Sequence, residues 1–249
     1  MRTTWVMGNW KMNGSKEAVH QLLRTLSNSF PDTQSKCVVF PPSIYLPLTQ
    51  SLLSNTVIGW GAQNVFTKDQ GAYTGEHAAS MLSDYGCRYV LVGHSERRQY
   101  FHESEKFVAE KFHQVKEHDM IPVLCVGETL DEREKGLTRQ VLERQIRAVL
   151  RDSETDFKRC IIAYEPVWAI GTGKTAMPEQ AEEVHVFIRD FISHVNSEDA
   201  LVLPIIYGGS VNEKNARALF SMPNIDGGLV GGASLQADSF LEIVKCTNC

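Results

Sequence analysis

The chain has 249 residues, 43% hydrophobic and 22% charged, with a formal net charge of −5. At about 150 residues per domain this means one domain or two, and single α/β barrels commonly reach this size. The near-average composition excludes disordered, collagen-like and disulfide-scaffold classes, and the acidic balance argues against nucleic acid or an anionic membrane as the main partner. A small anionic substrate stays open, because it answers to local rather than net charge.

The first eight residues are too short and polar to read as a signal-peptide core. Short apolar runs then alternate with helical patterns along the chain. Strands are expected at 4–9, 37–40, 57–62, 89–92, 122–126, 160–164, 203–207 and 228–230. Helical stripes recur at steps of three and four. One runs through Val19, Leu22, Leu23, Leu26 and Phe30, and another through Leu137, Val141, Leu142, Ile146, Val149 and Leu150. A third comprises Val184, Phe187, Ile188, Phe191, Ile192 and Val195, after Pro178, which suits a first helical turn. The uncharged stretch 37–67 holds Pro41, Pro42 and Pro47 and is no membrane span.

The strand candidates are continuous apolar runs, as expected where both faces of a parallel sheet are covered. Eight strand–helix alternations without a Ser/Gly-rich linker fit one closed α/β barrel over residues 1–249, and an open doubly wound sheet is the alternative. Polar and glycine-rich segments follow many strands at one end, which favours the barrel. Six cysteines, at 37, 87, 125, 160, 246 and 249, are scattered and read as reduced thiols of a cytoplasmic protein. The C-x-x-C spacing of Cys246 and Cys249 reads as a frayed tail. Residues 131–135 alternate in sign and read as a solvated face.

The segment 171–176, Gly-Thr-Gly-Lys-Thr-Ala, formally matches a dinucleotide fingerprint. That motif needs a strand running straight into its first glycine, whereas 165–170 intervene and Pro178 marks a later helix start. A mobile loop beside an active site is the preferred reading.

Four side chains stand where chemistry is expected. Glu165 is the only charge between Arg159 and Lys174 and ends the sixth strand; partial desolvation there would raise its proton affinity toward that of a useful base. His94 follows the fourth strand, with Ser95 as a candidate N-cap, so the helix dipole would favour a neutral ring able to donate to a carbonyl oxygen. Lys11 and Asn9, after the first strand, could meet a carbonyl or phosphate oxygen. Glycine pairs at 208–209 and 231–232 follow the seventh and eighth strands, where barrels often bind phosphate through backbone N–H groups. Cys125, ending the fifth strand, has no activating base and reads as a buried filler. The histidines show no metal-ligand spacing.

In this order the segments 8–13, 71–76, 93–98, 163–173, 207–210 and 231–235 resemble the triosephosphate isomerase family, and the resemblance spans essentially the whole chain. It implies a (β/α)8 TIM barrel that interconverts dihydroxyacetone phosphate and D-glyceraldehyde 3-phosphate through an enediolate, without metal or organic cofactor. By resemblance Glu165 is the base, with neutral His94, Lys11 and Asn9 stabilising the enediolate; this family is an established example of such pKa tuning. Backbone groups at Gly171, Ser210, Gly231 and Gly232 would hold the phosphate, and Glu96 and Cys125 would support the site. Pro166, Val167 and Trp168 would form one hinge of a closing loop, and Lys174, Thr175 and Ala176 the other. The segment 63–85 resembles the family's long interdigitating loop, from which Thr74 would reach into a second copy near Asn9 and Lys11, implying a homodimer. No nucleic acid or membrane partner is implied.

Overall fold

The computed structural model describes residues 2–150, 157–170 and 176–247. Eight parallel strands close into a barrel in sequence order. They are β1 (Trp5–Asn9), β2 (Lys36–Phe40), β3 (Gly59–Ala62), β4 (Tyr89–Val92), β5 (Ile121–Val126), β6 (Ile161–Tyr164), β7 (Ile205–Tyr207) and β8 (Gly227–Val230). The closing pair sets Gly8 against Val230. The fold is a single (β/α)8 TIM barrel, as expected, and the doubly wound alternative is excluded by closure.

The surrounding helices are α1 (Lys16–Asn28), α2 (Leu46–Leu53), α3 (Ala79–Asp84), α4 (Ser95–Tyr100), α5 (Glu105–Glu117), α6 (Leu130–Glu134), α7 (Thr138–Arg147), α8 (Pro178–Val195), α9 (Ser197–Val202), α10 (Ala216–Phe220) and α11 (Ala237–Lys245). Strand alternation sorts the apolar residues into two cores. Met7, Val38, Phe40, Leu91, Val123, Cys125, Ile161, Ala163, Ile206 and Leu229 fill the barrel interior. Their neighbours, such as Val6, Val39, Val90, Leu124, Ile162 and Ile205, face outward against the helices. Both faces of each strand are therefore dry, which explains the unbroken apolar runs in the sequence.

Two stripes outrun their helices: Phe30 lies beyond α1, and Val149 and Leu150 beyond α7. Apolar spacing continues there because the connecting turns also pack on the core. Pro178 does open α8, at its first position. Cys246, expected in a frayed tail, is buried at the C-cap of α11, and the Thr247 hydroxyl accepts a 2.6 Å bond from Ser35 Oγ. Cys249 lies outside the described residues. Among the described residues no helix is long and apolar enough to cross a membrane.

Candidate active site

The strand ends gather the polar residues at one mouth. Glu165 immediately follows β6, and its N–H donates to Val126 O at 2.7 Å, so the ladder extends one residue past the strand. Two glycines make room for it. A Cβ on Gly127 would lie 1.7 Å from the Glu165 carbonyl oxygen, and one on Gly208 would lie 2.9 Å from its Cγ. Gln145, reaching in from α7, clamps Gly127 on both sides of its Cα by accepting from its N–H and donating to its carbonyl. The carboxylate is 2% exposed; Oε2 accepts the Ser95 N–H at 2.9 Å, and Oε1 lies 3.0 Å from His94 Nε2 without hydrogen-bond alignment.

His94 itself, not Ser95, caps α4: its Nδ1 accepts the Glu96 N–H at 3.3 Å, and Ser95 is the first helical residue. A ring nitrogen that accepts carries no proton, so the single proton of the neutral ring sits on Nε2, facing Glu165. Burial favours that neutral ring, but the Glu165 and Glu96 carboxylates outweigh burial and raise the pKa of His94. Protonating Nδ1 as well would sacrifice the bond to Glu96, so the geometry is that of the neutral tautomer. Glu165 shows the complement. Burial pushes its pKa up, as its position at the end of an apolar strand leads one to expect, yet His94, the Ser95 N–H and Lys11 together hold it below the usual carboxylate range. The expected rise is reversed because the carboxylate is turned onto donors rather than onto apolar walls.

Lys11 adopts a left-handed backbone, φ 53°, that a non-glycine residue rarely takes. Asn9 Oδ1 accepts its N–H, and Gln63 Nε2 donates both to its carbonyl and to that of Phe40. The strained turn aims Nζ at Glu96 Oε1, 2.6 Å away. Glu96 thus stands behind both Lys11 and His94. Cys125 is a buried interior filler, as expected; burial pushes its thiol well up, with Glu165 adding to the effect.

Beyond Glu165, Pro166 precedes a short 3-10 turn, Val167–Ala169. Trp168 Nε1 donates to Glu128 Oε1 at 3.0 Å, and the same fully buried carboxylate accepts from the Tyr164 hydroxyl and from Arg133. Arg133 also lies over the Trp168 ring at 4.5 Å. The 131–135 segment is therefore only partly a solvated face: Asp131 and Lys135 pair in solvent, whereas Arg133 supports this turn. Ala176 is buried; Gly171, Lys174 and Thr175 lie outside the described residues.

A cavity of about 360 Å³ opens at this mouth, lined by Asn9, Lys11, His94 and Glu165 on one side and by Ile170, Gly208–Asn212 and Gly231–Ala233 on the other. Ser210 donates to Ala169 O. Gly231 heads a 3-10 turn, Gly232–Leu235, and no atom lies within 4 Å of where a Gly232 Cβ would be, so backbone there is open to the cavity. Among the described residues no group of three or more His, Cys, Asp and Glu side chains could hold a metal ion. Thr74 lies elsewhere, exposed at the tip of a tight turn in which Gly75 has φ 95°.

A family profile for triosephosphate isomerase matches residues 4–247. The chain belongs to the triosephosphate isomerase family. A triosephosphate isomerase of Legionella pneumophila (strain Lens) is 60% identical over 249 residues, all of both chains. Those of Nitrosococcus oceani and Nitrosomonas eutropha are 52% and 51% identical, over 98% and 97% of this chain and 99% and 97% of theirs. The chain is accordingly an isomerase. Gln63, Gly127 and Gln145 carry no mark of site residues in the sequence, since each acts on or against a group supplied by a distant element. Glu128, a charge two residues after the fifth strand, offers the one usable signal.

Proposed function

We propose that the barrel, residues 1–249, acts as one catalytic domain in which Glu165, His94, Lys11 and Asn9 carry the reaction of the triosephosphate isomerase family. That reaction interconverts dihydroxyacetone phosphate and D-glyceraldehyde 3-phosphate. The observation that carries the assignment is the convergence of one carboxylate, one Nε2-protonated imidazole and one lysine on a single small cavity beside a glycine-rich turn. Glu165 turns from the Ser95 amide toward the substrate, a swing for which the missing side chain at Gly208 leaves room. Ionised, it takes the proton alpha to the carbonyl and returns it to the adjacent carbon. His94 donates from Nε2 to the oxygens on which charge develops, and Lys11 Nζ supplies the balancing positive charge. Asn9 holds the Lys11 backbone and borders the same space.

Backbone N–H groups of Gly171, Ser210, Gly231 and Gly232 hold the phosphate. The segment 166–176 closes over it, hinged at Pro166–Val167–Trp168 and at Lys174–Thr175–Ala176, and excludes water that would let the enediolate shed phosphate. Glu96 and Cys125 support the two ends of the proton path. We assign the chain to the cytoplasm, consistent with buried thiols at Cys37, Cys87 and Cys125. Thr74 enters a second copy near Asn9 and Lys11, making a homodimer.

The test is a coupled assay starting from each triose phosphate in the presence of a chelator. Turnover in both directions is expected, and activity abolished by chelation would overturn the cofactor-free reading. Glu165→Asp retracts the carboxylate by about 1 Å and should cut kcat roughly 10²-fold while substrate affinity is kept. Near-normal kcat in that variant removes Glu165 from the role of base.

A further inference from the structure

Behind the site, between the barrel and α8, three buried rings meet. His185 has no exposed surface; it stands edge-on to Tyr164, 5.9 Å away at 83°, and lies 6.5 Å from Tyr207 at 38°. The two tyrosines end β6 and β7, face each other in register and lie 6.4 Å apart. Histidine is a costly way to fill this space, because a purely apolar ring would bury no nitrogen.

The ring is held from its far side. Nδ1 lies 3.1 Å from the Asn224 carbonyl oxygen, which only accepts, so Nδ1 carries the proton. Asn224 is locked onto the same face of α8, donating its backbone and side-chain N–H groups to Glu182 and accepting from Arg189 Nε. The Ile205 backbone neighbours the ring without an aligned hydrogen bond to Nε2. Burial pushes the His185 pKa down to about 3, so the ring stays neutral near physiological pH and takes no part in proton transfer.

What the ring touches leads to the chemistry along two short paths. The Tyr164 hydroxyl lies 3.1 Å from both Glu128 oxygens, and Glu128 holds Trp168. The residue after Tyr164 is Glu165; the residue after Tyr207 is Gly208, which lies against Glu165 Cγ and donates its N–H to Tyr164 O. We propose that His185 is a positioning residue for the isomerase reaction, its ring anchored on Asn224 and wedged between Tyr164 and Tyr207 so as to fix the Glu128–Trp168 bond and the backbone of Glu165. This rests on the reading of Glu165 as base.

The experiment uses full-length protein labelled with 5-fluorotryptophan, whose four residues are Trp5, Trp10, Trp60 and Trp168. Trp168→Phe identifies the Trp168 fluorine resonance. His185→Phe, which keeps the ring and loses the anchor, should shift that resonance, leave those of Trp5 and Trp60 in place, and lower kcat about threefold with KM little changed. His185→Ala should do the same more strongly, with kcat about tenfold lower. If His185→Ala does not fold, His185→Phe decides alone. Wild-type kcat and an unmoved Trp168 resonance in a folded variant would overturn the proposal. So would a fall in kcat with Trp168 unmoved, which is the mark of a purely structural residue. A failure of the base assignment shows separately, as undiminished kcat in Glu165→Asp.

Discussion

Individual residues divide into those with a sequence signal and those whose role depends on a partner elsewhere. Glu165 and His94 are conspicuous as lone polar residues at the ends of apolar strands, and both stand where that pattern puts them. The left-handed turn at Lys11 has no signal, because Trp-Lys-Met carries none of the Gly or Asn that usually marks such a backbone. Gln63 compensates by holding two carbonyls from different strand ends, an arrangement only the closed barrel creates. His185 is an apolar-face residue by spacing, and its chemistry appears only in its titration. Its folded pKa, about 3, lies below the value of 6.5 for the free side chain, so between these values the unfolded chain holds a proton that the folded one lacks. Stability therefore falls as pH drops from 6.5 toward 3, by about 1.4 kcal/mol per pH unit from this group well inside that window. Urea unfolding at pH 7, 6 and 5, at one protein concentration, should show His185→Phe with a shallower pH dependence than wild type by nearly that slope at the acid end. Equal slopes would mean that His185 is protonated in the folded state.

Elements were readable in proportion to their length and burial. Every strand lies within two residues of its expected bounds, because each is a largely apolar run closed by glycine, proline or a polar residue. The helices α3, α4, α6, α9 and α10 have only five or six residues, too few for a 3.6-residue period to show. The close fit of β5 to β6 was equally hidden, since it depends on the absence of a side chain at Gly127. Adding one there would drive a methyl group into a backbone oxygen that no rotamer change can move. Gln145 holds the Gly127 N–H and carbonyl, one group from each of the two peptide units flanking that Cα, so neither unit can rotate away without leaving a partner unmet. Gly127→Ala should therefore push the Glu165 backbone off its register and cost kcat roughly 10²-fold. Steady-state kinetics on variant protein with wild-type circular dichroism checks this, and unimpaired turnover would show that the β5–β6 junction yields without moving the base.

At the scale of the whole molecule, the net charge of −5 gives no hint of a doubly anionic substrate. On the proposed function attraction is local, coming from Lys11 and open backbone at the glycine turns. What the whole chain does show is apolar surface left uncovered. Met12, next to Lys11, is 96% exposed, and Tyr73, Met81, Tyr85, Tyr100 and Phe101 are also exposed. Met12 and Tyr73 lie on the loops after β1 and β3, whereas Met81, Tyr85, Tyr100 and Phe101 lie on or at the ends of α3 and α4; contiguous exposed apolar surface of this kind marks contact sites. The Thr74 loop is braced along its length. Phe66 packs on both Tyr73 and Phe107, its N–H donates to His77 O, and Asp69 is tied to Gln114 and His118. A tip held in this way can enter a partner without the ordering cost a floppy loop would incur. Wild-type protein should therefore sediment at twice the chain mass, with activity per chain constant on dilution. Thr74→Arg places a bulky charge at the tip and should make activity per chain fall tenfold or more on dilution, in step with dissociation. A wild-type monomer with full activity would show that the Lys11 turn needs no second copy to hold its shape.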